Sequence, residues 1–512
     1  MLVVLLAIVC LGVFAVYSMK KPKHFPPGPM WWPLVGCSVE MRREMRRAKG
    51  RQQIVLEKMC RKWNTSVVGM KMGSQLVVCV SSFPVLKKVF DNEAFFARPN
   101  NFFTKLRTIG SCPGITCAEG SLFEEHKRFV LKNLQSRTGK MEMEAKIFEE
   151  LEDVKQLIDD DRLKVQFGQI MQPAVVNIIW SFIAGQRIKR SDPKFQTLLG
   201  LLDARSKAFD MGGGTLSNFP WLRFIAPDWV GFTLINNLNM ELKSFFTKTI
   251  NDHYSTWGED RTGDLIYSFI SQGRTKDKSG TFTDDQLLMI ILDLFVGGAH
   301  SSAAILDFAF LMMMHYPDVK HRVQACLDDA FASSDQIQYQ DRHRIPYVEA
   351  TLSEVMRYCH VFPVGGSRRA LRDTELEGYT IPKASPAVEI WRQRFNLPFQ
   401  DTTVLIDLYS VLNSKDVWGD PENFRPERFM VDDQLAVIEN YIPFGIGRRR
   451  CLGESLARRI LFLVFAEVMK TYDILPEEGA PLPPIDPQPG ITALPQPYKA
   501  RFVRRDSVLN KS

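Results

Sequence analysis

The stretch Phe444-Gly445-Ile446-Gly447-Arg448-Arg449-Arg450-Cys451-Leu452-Gly453 sets one cysteine in a glycine-rich turn just ahead of a helical pattern. Such a turn can aim several backbone N–H groups at one sulfur, and those donors favour the thiolate over the thiol. A thiolate is the form that ligates iron. The residues behind it, Ser455 to Met469 (SLARRILFLVFAEVM), read as a helix whose N-terminus faces the cysteine and adds positive potential. Arg448, Arg449 and Arg450 extend that potential toward any ligand that carries carboxylates. A cysteine among glycines is, by itself, more often structural, so the rest of the chain has to be weighed with it.

Working outward, Glu354 and Arg357 stand three apart in YVEATLSEVMR (Tyr347 to Arg357), on one face of a helix. Pro426-Glu427-Arg428-Phe429 follows. The most strongly marked helix begins at the capping box Thr283-Asp284-Asp285-Gln286 and runs through LLMIILDLFVGGAHSSAAILDFAFLMMMHY. It is apolar nearly all round, which predicts a buried central helix. Gly297 and Gly298 interrupt it, at a cost of about 1 kcal/mol each relative to alanine, which predicts a large body against the backbone there. Strand-like runs are confined to Ser66–Ser82 and the C-terminal third.

The chain has 512 residues, a length that would suggest about three domains. No Ser/Gly linker, repeat or low-complexity tract follows Gly36, so residues 37–512 read as a single domain. Hydrophobic residues make up 45% and charged residues 24%, an ordinary globular balance. A net charge of +7, from 65 basic and 58 acidic residues, is too slight and dispersed for a nucleic-acid binder. The nine cysteines are scattered without a CxxC pair, as expected of reduced thiols facing the cytosol, and Cys112 and Cys117 read as loop thiols. Met1 to Tyr17 is almost wholly apolar and is followed by Lys20, Lys21 and Lys23. That is just long enough to cross a bilayer with its C-terminal side in the cytosol, and residues 1–19 read as a signal-anchor rather than a cleaved leader. Residues 20–36, with Pro26-Pro27-Gly28-Pro29, form a stiff basic hinge.

Phe444, Gly447, Arg449, Cys451 and Gly453 match every fixed position of the cytochrome P450 haem signature FxxGxRxCxG, and further family motifs occur in order across nearly the whole chain. The protein therefore resembles the cytochrome P450 superfamily, and the PPGP hinge is most similar to microsomal animal members. FARPNNFFTKLRTIGSCPGI (Phe96 to Ile115) is similar to arthropod ones. The resemblance implies a mainly α fold with a smaller β region, and haem b (iron protoporphyrin IX) between the central helix and the loop of Cys451, the iron ligand. Phe444, Gly447 and Gly453 would shape that loop. Glu354, Arg357 and Arg428 would form a structural network. Haem propionates would be held by Arg449, by Arg368 in a place where many relatives have histidine, and by Lys127 in the place of an arginine, with Phe123 replacing a tryptophan.

Relatives deliver protons with an acid-alcohol pair on the central helix, whereas this chain has His300 and Ser301 at those positions, which would be its catalytic residues. Phe102, Phe103, Phe295, Ala299, Phe362 and Val364 would line the substrate pocket. The implied activity is monooxygenation, a hydroxylation or epoxidation of a lipophilic hormone, lipid or xenobiotic. Electrons from NADPH would arrive through NADPH-cytochrome P450 reductase, with cytochrome b5 as a second donor. The enzyme would sit on the endoplasmic reticulum membrane facing the cytosol, with Phe219 to Phe232 (FPWLRFIAPDWVGF) either dipping into lipid or packing in the core. Two alternatives stand beside this: a haem-binding relative without turnover, and a haem-thiolate isomerase or dehydratase. Between GYTIPK (Gly378 to Lys383) and Asp401, which normally abut, lie seventeen residues, 384–400, whose ends can be coded as splice borders. They read as a retained intron or a loop peculiar to this lineage.

Overall fold

The apolar stretch after Thr283 forms a helix of 32 residues, Asp284–His315, about 48 Å long at 1.5 Å per residue. The Thr283 hydroxyl accepts the Gln286 N–H, so the expected cap is in place. Most of its residues from Gln286 to Met314 are buried, because an all-round apolar helix can only be satisfied inside a protein core. This computed structural model describes residues 12, 16 and 19–505 apart from 110–111, 136, 161–164, 209–214, 259–262, 276–279, 332–335 and 385–400. The apolar N-terminal stretch and nearly all of the 384–400 segment thus lie outside the described residues.

The elements that frame the site, labelled in chain order, are few. The helices are α1 (Gly120–Gln135), α2 (Phe167–Ala184), α3 (Pro193–Ala208), α4 (Phe232–Ser255), the central α5 (Asp284–His315), α6 (Pro346–Tyr358) and α7 (Glu454–Thr471). Around α5 pack α2, α4, α6 and α7, and their inward side chains make one continuous core that includes Trp180, Phe246, Phe295, Phe308 and Phe462. The Ser66–Ser82 region forms the antiparallel pair β1 (Val67–Met72) and β2 (Gln75–Val80). β3 (Val364–Arg369) and β4 (Thr403–Asp407) complete a four-stranded sheet in the order β1-β2-β4-β3, with β2 and β4 parallel. A second sheet pairs Tyr472–Pro476 with Lys499–Arg504, and it takes in Val165–Gln166 as a third strand. That two-residue strand lies outside both regions with strand character, since it is held by long-range pairing rather than by its own pattern.

The aromatic run after Phe219 is not core: Trp221, Phe224, Ile225 and Trp229 are between 55% and 76% exposed. It lies against the β1–β2 turn, where a side chain at Gly73 would meet the Asn218 carbonyl, and near Arg42, whose guanidinium donates to the Thr215 hydroxyl. Exposed Met30, Trp32 and Leu34 belong to the neighbouring hinge.

Candidate active site

The turn that carries Cys451 is built by its glycines. Gly445 (φ 70°) and Gly447 (φ 73°) both adopt the left-handed region that side chains resist. A Cβ on Gly447 would also come within 3.4 Å of the Phe90 carbonyl oxygen. The Cys451 N–H closes the loop onto the Phe444 carbonyl at 2.9 Å, and Gly453 starts α7 by accepting from the Ala457 N–H at 2.8 Å. The thiol opens into a cavity of about 370 Å³ between this loop and α5. Burial away from bulk water pushes its pKa up, while the backbone N–H groups of Gly453 and Glu454 pull it down. Those are the donors that a glycine-rich turn ahead of a helix was expected to provide.

Of the three consecutive arginines, Arg449 and Arg450 line the cavity, and Arg449 is the one whose guanidinium is not paired with a carboxylate. Arg448 pairs with Glu124 at 2.7 Å and Arg450 with Glu454 at 2.5 Å, so their charge is spent on surface carboxylates. Arg449 is thus the one of the three left for a ligand's carboxylate. Arg449 stacks on the Phe123 ring at 3.7 Å and donates to the carbonyls of Phe96, Ile115 and Ala118. Arg368 donates to the Gly366 carbonyl at 2.6 Å. A third guanidinium joins them: Arg98 donates to the Thr116 and Ser367 carbonyls and lies close against Gly366, where an added Cβ would displace it. Burial, and then repulsion from Arg449, lowers the Arg98 pKa to about 10, and burial holds Arg368 well below its ordinary value. No carboxylate lies within ion-pair distance of these three among the described residues. Three guanidiniums on one cavity wall, none of them ion-paired, outnumber its one carboxylate, Asp293, and fit a ligand that brings its own carboxylates, as haem does. Lys127 also lines the cavity, where its ammonium caps the Arg448 carbonyl at 2.7 Å.

Behind the loop, Arg357 and Glu354 of α6 are wholly buried and joined twice, Nε to Oε2 at 2.6 Å and Nη2 to Oε1 at 2.8 Å. Arg428 adds its Nε to Glu354 Oε1 at 3.3 Å, and the Arg425 N–H donates to the same oxygen at 2.8 Å. The three residues thus meet as one network. His360, buried just past α6, also lines the cavity and was not anticipated; burial pushes its pKa down to about 3, and it contacts the Asn413 amide at 2.6 Å.

On α5 the cavity is walled by Asp293, Leu294, Gly297, Gly298, Ser301, Ser302 and Ile305. Gly297 and Gly298, flagged in the sequence, do lie on the cavity face. The Ser301 hydroxyl donates to the Gly297 carbonyl at 2.9 Å and remains on the wall. Phe295 and Ala299 are corrections. One residue is about 100° of helix, enough to turn Phe295 away from Leu294 and into the rings of Trp180 and Phe246. Ala299 is fully buried off the wall as well. His300 is likewise absent from the wall: its Nε2 faces Asp203 of α3 at 2.9 Å. Phe102 packs on Phe232 rather than on the cavity, and the side chain of Phe103 lies outside the described residues. Phe362 and Val364 do line it, together with Ile115, Ile179 and Phe182.

A family model described as cytochrome P450 matches residues 26–502. Among curated relatives, "Probable cytochrome P450 305a1" of Drosophila melanogaster is 36% identical over 509 residues, which cover 96% of this chain and 97% of that protein. A "Farnesoate epoxidase" of Bombyx mori is 29% identical, with 98% and 99% covered. "Cytochrome P450 2J5" of Mus musculus is 29% identical, with 92% and 90% covered.

Proposed function

Because the chain belongs to the cytochrome P450 family, we propose that the Cys451 thiolate is the iron ligand of its haem and that Arg98, Arg368 and Arg449 hold the two propionates. The family makes this protein a haem-thiolate monooxygenase, an oxidoreductase that inserts one oxygen atom from O2 into a lipophilic substrate with electrons from a redox partner. The observation that carries the residue assignment is the cavity itself, with one thiol on one wall and three guanidiniums that make no ion pair on another. Haem bound there supplies dioxygen activation, with the thiolate's electron density favouring O–O cleavage. Lys127 supports the propionate side as a point charge that also ties α1 to the cysteine loop. Glu354, Arg357 and Arg428 hold the loop-side core, and Ser301 offers a hydroxyl on the distal wall.

The substrate enters a mainly apolar pocket lined by Ile115, Leu294, Phe362 and Val364, with Thr116, Asp293, Ser301 and Ser302 among its polar groups. Hydroxylation or epoxidation of a lipid-like molecule suits that lining. NADPH-cytochrome P450 reductase is the electron donor, with cytochrome b5 as a second. Residues 1–19 anchor the chain in the endoplasmic reticulum membrane, and exposed Trp221, Phe224, Ile225 and Trp229 rest in its interface, where aromatic side chains are favoured. Among the described residues the one helix long and apolar enough to cross a membrane is α5, which is mostly buried in the fold.

The decisive measurement is the CO difference spectrum of the reduced protein, with Cys451→Ala as control. The wild type should give the red-shifted thiolate band and the variant should lose it. A wild type without that band refutes the assignment. Oxygenated product that depends on NADPH separates monooxygenation from isomerase or dehydratase chemistry, which needs no reductant.

A further inference from the structure

The central helix lacks the carboxylic acid that would precede its hydroxyl residue, since His300 stands there. We propose that the missing carboxylate is supplied from another helix: Asp203 of α3 positions His300 and forms the solvent end of the proton path to Ser301. The inference rests on the monooxygenase reading above. His300 Nε2 lies 2.9 Å from Asp203 Oδ1, and the Gln172 amide of α2 donates to that same oxygen at 2.8 Å. Asp203 lies on the water side of His300. The Asp203 side chain is 46% exposed, the His300 side chain 7%, and Ser301, the next residue on α5, faces the cavity.

This juxtaposition explains the residue choice at 300. A carboxylate there would confront Asp203 at hydrogen-bond distance and repel it, whereas an imidazole accepts or gives a proton at the same point. The other carboxylate on the cavity side of α5 is not a substitute. Asp293 Oδ2 accepts the N–H groups of Ile115 and Thr116 at 2.9 and 2.8 Å, and its Oδ1 faces Arg107 at 3.2 Å, so it is committed as an acceptor. In each passage one proton enters from water at the Asp203–His300 pair and one leaves toward Ser301, so the pair recovers its charge. Only O–H and N–H bonds change. Asp203 touches neither cofactor nor substrate, and its part is to orient and recharge His300. Because Asp203 rides on α3, which packs on α4, the path is complete only while the Asp203–His300 contact holds.

The test compares wild type, Asp203→Asn, Asp203→Glu and His300→Ala as full-length, haem-loaded proteins. General acid catalysis contributes 10²–10⁴-fold, so product formed per NADPH consumed should fall about tenfold or more in Asp203→Asn and His300→Ala, and Asp203→Glu should restore most of it. The CO difference band, the unfolding midpoint and deuterium exchange over residues 193–208 should stay near wild type in Asp203→Asn. Product formation driven by hydrogen peroxide, an oxidant that brings its own protons, should also be spared. An unchanged product-to-NADPH ratio in Asp203→Asn overturns the inference alone. So does a parallel loss of peroxide-driven turnover or faster exchange in α3, either of which makes the pair a packing contact. A wild type without the thiolate band overturns the parent reading and this one with it.

Discussion

Arg357→Ala should remove haem from this protein by removing the floor beneath it. The guanidinium is wholly buried and makes five hydrogen bonds: two to Glu354, at 2.6 and 2.8 Å, and three to the carbonyls of Leu412, Pro421 and Asn423. Alanine leaves the Glu354 carboxylate in the core with Arg428 at 3.3 Å and one backbone N–H as remaining donors. Breaking a buried ion pair from one side costs about 3–5 kcal/mol, and the abandoned carbonyls add to it at about 1–3 kcal/mol for any left dry. Against a total stability of about 5–15 kcal/mol, that shifts the folded population by a factor of about 10² to 10⁴ and threatens the fold itself. Arg357→Lys keeps the charge but not the fork, and should fall between. The assay is urea unfolding followed by tryptophan fluorescence, with CO-band amplitude measured on the same preparations. If Arg357→Ala costs less than about 1 kcal/mol, the value of an exposed ion pair, and keeps a full CO band, the network is not structural and the reasoning fails.

Three further outcomes are expected. Asp307 of α5 has an oxygen without a hydrogen-bond partner, and burial raises its pKa to about 8. The folded pKa thus lies above the unfolded value, so between about pH 4 and pH 8 the unfolded chain has released a proton that the native state holds, and stability should fall as pH rises through that window. The thermal midpoint of Asp307→Asn should be flatter there, and equal slopes would contradict the assignment. Deleting residues 384–400 should leave the CO band intact and the midpoint equal or higher, because the Thr402 N–H already donates to the Lys383 carbonyl at 2.6 Å and the ends of the segment meet. Loss of the band on deletion would make the segment part of the fold, and transcripts that all retain its 51 coding nucleotides would sink the retained-intron reading. Gly447→Ala must hold φ near 73°, a strain of about 1–2 kcal/mol that should appear as a diminished CO band; an undiminished one would show that the turn tolerates a side chain.

Local pattern was enough to determine much of this protein. The glycines around Cys451, the three-residue spacing of Glu354 and Arg357, and the all-round apolar run after Thr283 each state a short-range physical requirement: a left-handed turn, a shared helix face, complete burial. The cysteine loop, the buried network and the central helix are therefore legible in the chain's own residues. Tertiary structure alone decided where side chains point once elements meet. Nothing local marks Arg98 within the Phe96–Ile115 run, and its convergence with Arg368 and Arg449 joins segments hundreds of residues apart. The phase of α5 turned Phe295 toward Trp180 and His300 toward Asp203, because a helix apolar on every side carries no stripe to say which face meets the cavity. The sequence showed that the acid was missing from the central helix; the placing of α3 beside His300 showed where a carboxylate stands instead.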